Sequence, residues 1–122
     1  MQPLRVSQTI MDEYSARILL GTSSGPVSAI ELSRRFGIPI AACYRRIKDL
    51  EGLGLMFCER ELPSRNGKGL QLFRSRLKSV RISLEDGRLS ARVELGSPGR
   101  LGALEGEVME EVVNLHAPGT GA

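Results

Sequence analysis

Tryptophan is absent from the 122 residues, aromatic residues make up only 4%, and the single histidine is His116. Leucine, isoleucine and valine must therefore fill any core, for which a 41% hydrophobic content suffices. The two cysteines, Cys43 and Cys58, are too few for a disulfide framework and lack zinc-ligand spacing. Both read as free thiols packed inside, as cysteine usually is. No apolar run approaches the roughly 20 residues that cross a bilayer. The N-terminus MQPLRVSQTI lacks the long apolar stretch of a secretion signal. A soluble cytoplasmic protein is expected, of one domain or one domain with an appendage. No enzyme and no cofactor are expected. The stretch RNGKG has glycines and a lysine, but it lies between two strand-like segments rather than opening a helix. One histidine near the C-terminal end of the sequence builds no catalytic triad.

Charge is present but unevenly spread. The chain total is +3. Residues 1–33 sum to −1, residues 34–81 hold twelve basic and four acidic side chains for +8, and residues 82–122 sum to −4. A basic middle between acidic ends makes a local field that attracts a polyanion. Clustering on an ordinary solvated surface accounts for it equally well.

Local patterns divide the chain. Ser7 is placed to cap a helix to about Leu20, with Ile10, Tyr14 and Ile18 at helical spacing and Met11 widening the stripe. TSSGP breaks the chain. Ser28 and Glu31 stand at capping-box spacing, so a second helix starts there and ends at Gly37, a left-handed cap. Pro39 suits the first turn of a third helix to about Leu53. Two short helices joined by a glycine turn make a helix-turn-helix.

Each residue advances about 100° around a helix. On the third helix Ile40, Cys43, Ile47 and Leu50 then form a buried stripe. Ala41, Arg45 and Lys48 lie opposite, with Ala42 and Asp49 in the same outer half and Tyr44 and Arg46 on its margins. Alternating residues follow at 55–60 and 70–76, two strands around a basic tip that carries Arg65 and Lys68. A second hairpin turns at Asp86-Gly87. Residues 96–102 read as a linker. Leu101, Leu104, Val108, Val112 and Leu115 recur every three or four residues, which predicts a helix over 103–116, before a disordered tail at 117–122. The expected fold is α+β: a winged helix-turn-helix over residues 1–78, a hairpin over 79–95 packed on or continuing the wing sheet, and a C-terminal helix.

From Tyr14 to about Arg76, IPIAACYRRIKDLEGLGL joined to a hairpin with GKG and FRS resembles the archaeal winged helix-turn-helix transcription regulators of the ArsR-like and MarR-like superfamily. The resemblance implies a third helix in the DNA major groove and a wing on the backbone or minor groove. Carried over residue by residue, the groove face is Ala41, Ala42, Tyr44 and Arg45; Arg46 and Lys48 are phosphate contacts; Arg65 and Lys68 are wing contacts. Arg46 equally suits a brace to the preceding helix through Glu31 or a similar acid. The clustered ligands of the ArsR-type metal sensors are missing, so no metal is expected. A homodimer is expected, joined through the C-terminal apolar stripe. The alternative is a winged helix that serves as a protein–protein interaction module of the transcription machinery, docking through its basic segment. RNA binding lacks the aromatic platforms that stack bases.

Overall fold

The computed structural model describes residues 4–63, 69–96 and 106–114. Four helices come first: α1 (Arg5–Met11), α2 (Glu13–Gly21), α3 (Ala29–Phe36) and α4 (Ile40–Gly52). Five strands follow: β1 (Met56–Leu62), β2 (Leu70–Ser75), β3 (Leu77–Glu85), β4 (Arg88–Gly96) and β5 (Gly106–Asn114).

The helix-turn-helix forms where the caps place it. Ser28 accepts a hydrogen bond from the Glu31 amide at 3.2 Å and opens α3. Gly37 closes α3 at φ 66°, a left-handed conformation that glycine adopts without steric cost. The Ser33 hydroxyl donates to the Ile38 carbonyl at 2.5 Å and tightens the turn into α4. Ile18, Leu32, Ile38, Ile47, Leu50 and Leu55 are almost fully buried and bind α2, α3 and α4 into one core.

β1 and β2 form an antiparallel hairpin behind α4. Val27, before α3, exchanges both backbone hydrogen bonds with Phe73 of β2 at 2.9 Å and so ties the hairpin to the helices. This arrangement of three packed helices and a hairpin is the winged helix-turn-helix.

Three expectations about the rest are corrected or narrowed. The first helix is two helices. Asp12 is extended at φ −63°, ψ 130°, so the chain turns a corner there, and its carboxylate caps α2 by accepting from the Ser15 amide at 3.0 Å. Ser7 is no cap: it is buried inside α1.

Of the two placements open to the second hairpin, packed on the wing sheet or continuing it, continuation is excluded. The hairpin joins β5 in a separate three-stranded sheet of order β3-β4-β5. Arg76 is the joint. Its guanidinium donates to the carbonyls of Gly54 at 2.9 Å and Gly96 at 3.0 Å, and pairs with Glu107 at 3.0 Å. Asp86 and Gly87, at φ 52° and 72°, make the tight turn expected between β3 and β4.

The third correction concerns the C-terminal helix. Residues 106–114 are a strand, β5, paired antiparallel to β4 along its whole length. Val108 and Val112 suggested a helix because residues four apart share a face in a helix and also in a strand. The free edge of β4 decides between them, because each backbone group of β5 that turns to it finds a ladder partner. Gly106 and the paired valines Val112-Val113 also disfavour a helix. Val108 and Val112 project outward, about half exposed, while Met109 packs against the core. The expected tail at 117–122 and most of the expected linker lie outside the described residues.

Candidate nucleic-acid interface

Helix α4 packs on α2 and α3 at once, and this double support sets which side chains remain outside. Its buried arc runs over Ala42, Cys43, Ile47 and Leu50. Ala42 therefore leaves the predicted groove face: it is 9% exposed and belongs to the core. Ile40 makes the opposite correction. Expected inside, it is 44% exposed. The buried stripe is rotated toward Ala42 because α2 covers that flank of α4. The projection of α4 alone carried no trace of a second neighbour on one side.

The outer face that results is Ile40, Ala41, Tyr44, Arg45, Lys48 and Asp49, all exposed. Tyr44 is 47% exposed. Arg45 and Lys48 have no ion-pair partner among the described residues. Two cations without ion-pair partners among the described residues, a phenol, two apolar groups and the Asp49 carboxylate thus share one solvent-facing surface of the second helix of a helix-turn-helix.

Arg46 is spoken for. Its Nε donates to Asp12 Oδ2 at 2.8 Å and its Nη2 to Oδ1 at 3.3 Å, a two-armed carboxylate grip. Its guanidinium carbon lies 5.7 Å from the centre of the Tyr14 ring. The Arg46 hydrogen bond holds the Asp12 carboxyl down at about 2, against burial, with the Ser15 bonds adding to it. Of the two roles open to Arg46, this is the brace, with Asp12 as the acid in place of Glu31. Glu31 instead faces Arg34 and Arg35 on its own helix, at 4.0 and 3.7 Å. Asp12 went unrecognised in the sequence, although an aspartate three residues before Ser15 is a capping signal.

Other cations of the basic middle are also engaged. Arg74 pairs with Glu59 at 3.0 Å across the hairpin. Arg76 is the joint already described. Arg65 and Lys68, the expected wing contacts, lie outside the described residues.

The cysteines serve the scaffold. Cys43 is fully buried, its thiol donates to the Ala29 carbonyl at 3.4 Å, and burial pushes its pKa up. Cys58, also expected inside, is instead partly exposed on β1. No group of three potential metal ligands comes together among the described residues.

Residues 10–56 match the family model of a helix-turn-helix domain, the span from the last two residues of α1 through α4 to the first residue of β1. No curated protein matches the chain. No helix among the described residues is long and apolar enough to cross a membrane.

Proposed function

We propose that this chain is a DNA-binding transcription regulator that places α4 in the major groove of double-stranded DNA. The observation that carries the reading is the pair of unengaged cations, Arg45 and Lys48, beside Tyr44 and Ala41 on the outer face of α4. The helix-turn-helix match over residues 10–56 supports it.

In this reading Arg45 donates with both arms to guanine O6 and N7, the commonest specific base contact. Ile40, Ala41 and the Tyr44 ring meet thymine methyls. Ala41 matters by being small: a longer side chain at the centre of the face would hold the helix off the bases. Lys48 binds phosphate as a point charge. The wing residues Arg65 and Lys68 contact the backbone or minor groove, and the protein acts in the cytoplasm as a homodimer without metal, cofactor or catalysis. Ala42 and Arg46 take no direct part. They fix the angle at which the face is presented.

The test is binding to duplex DNA at two salt concentrations by the full chain and by Lys48→Ala and Lys68→Ala. Each phosphate contact removed lowers the slope of log affinity against log salt by about 0.9. Slopes unchanged in both variants, with no retention of random duplex at low salt, would favour a protein-docking module instead.

A further inference from the structure

Among the described residues, nothing pairs with one edge of the three-stranded sheet. β3 lies at one side of the order β3-β4-β5, and all five of its last residues, Arg81 to Glu85, are exposed. Two of them are large and apolar: Ile82 at 46% and Leu84 at 68% exposed. An exposed edge strand with apolar side chains invites another strand unless something guards it.

The hydrogen-bonding pattern of this edge follows from the turn. In a hairpin closed by two residues, the flanking pair Glu85 and Arg88 is hydrogen-bonded. Glu85, Ser83 and Arg81 therefore point their backbone groups at β4. Ile82 and Leu84 point theirs outward, and no backbone partner among the described residues takes them up.

Charge on the same strand shows what fits there. Arg81 stands opposite Arg92 of β4, and like charges directly across a ladder repel. Arg92 is neutralised by Glu94 at 3.5 Å and Glu110 at 3.1 Å. Arg81 and Glu85 are ion-paired to nothing among the described residues. They lie four residues apart, on the same face of the strand.

We propose that β3 pairs antiparallel with β3 of a second copy of this chain, about a two-fold axis at Ser83. This register sets Arg81 opposite Glu85 of the partner subunit, twice by symmetry. It also sets Ile82 opposite Leu84 of the partner subunit, where both backbones have free donors and acceptors. Moving the axis to Arg81 stacks arginine on arginine. Moving it to Ile82 leaves Arg81 facing a serine. The strand at the other side, β5, carries Glu107, Glu110 and Glu111 and no base, so no register gives it an ion pair with itself. The result is a six-stranded sheet across two subunits. Residues i and j±2 on facing strands are near neighbours. Leu84 of each subunit thus comes beside Val80 of the other, at the rim of a groove of about 480 Å³ between α2 and β3, lined by Leu19, Leu20 and Leu77.

The inference deepens the two-subunit part of the proposed function and does not depend on DNA being the ligand. Sedimentation of the full chain without DNA tests it. The wild type is expected to be a dimer. Arg81→Glu and Glu85→Arg should each raise the dimer dissociation constant about tenfold or more, and the two together should restore it to near the wild-type value. Ser83→Cys in a Cys58→Ser background should form a disulfide-linked dimer on mild oxidation, because the axis brings the two residues face to face at disulfide range. A monomeric wild type overturns the inference. So does a dimer that both single reversals leave intact, one that the double reversal fails to restore, or a Ser83→Cys protein that stays uncrosslinked.

Discussion

Asp12 and Arg46 meet at 2.8 Å, and through that pair the corner between α1 and α2 holds the helix that carries the proposed reading face. One carboxylate performs two tasks: it caps α2 at the Ser15 amide and grips a guanidinium on α4. Tyr14, two residues on in the first turn of α2, lies under the same guanidinium. The orientation of α4 is therefore fixed by polar contacts on one side and by Cys43, Ile47 and Leu50 below.

The pair makes a prediction in pH. Asp12 has a folded pKa of about 2 against an ordinary value of 3.8. A carboxyl lowered on folding stabilises the fold above its unfolded pKa and loses that contribution as pH falls toward its folded one. Arg46→Ala should therefore cost about 1–2 kcal/mol at pH 7, with the full value of the shift reduced because Asp12 is 35% exposed and partly screened. The difference between wild type and variant should shrink as pH drops from about 4 toward 2. Urea unfolding at several pH values measures it, and a difference that is constant with pH contradicts the assignment.

A second carboxylate anchors α1. Glu111 on β5 accepts from the Val6 amide at 2.9 Å, the Ser7 amide at 2.9 Å and the Ser7 hydroxyl at 2.6 Å. Burial alone would raise its pKa, but the three hydrogen bonds outweigh burial and lower it. Glu111→Ala should cost about 1.5–3 kcal/mol, the range for hydrogen bonds to a charged group. Hydrogen exchange should quicken in residues 5–11 and much less in α3 and α4. Equal quickening throughout would show that Glu111 supports the whole fold rather than the first helix.

The cysteines are expected to differ sharply in reactivity. An aromatic disulfide reagent should modify Cys58 in the folded protein and Cys43 only on unfolding, because thiolate character and access both govern the reaction. Cys43→Ala should lower thermal stability without creating or removing a metal response. Rapid modification of two thiols in the native state would contradict the packing of α4.

The legible parts of this fold are those specified by neighbours in sequence. Ser28, Gly37 and the Asp86-Gly87 turn act through local backbone geometry, so α3, the start of α4 and the second hairpin could be read directly. The corner at Asp12 was obscured because Ile10, Tyr14 and Ile18 keep helical spacing straight across it. Strand β5 was misread because nothing local distinguishes Val108 and Val112 on a helix from the same pair on a strand; the edge of β4 makes the choice. The exposure of Ala41, Tyr44, Arg45 and Lys48 on the outer side of α4 was legible in the helical projection. The projection misplaced Ala42, which is buried, and left the partner of Arg46 undecided, because both depend on α2 lying beside α4.

The central claim is that the outer face of α4 reads base pairs, and Arg45 tests it most directly. Duplexes are selected by the wild-type protein from a random pool, and affinity is then measured for the preferred duplex and a scrambled one. Arg45→Ala should cost about 1–3 kcal/mol on the preferred duplex and much less on the scrambled one. An equal loss on both would make Arg45 a backbone clamp, and no loss on either would remove α4 from the interface.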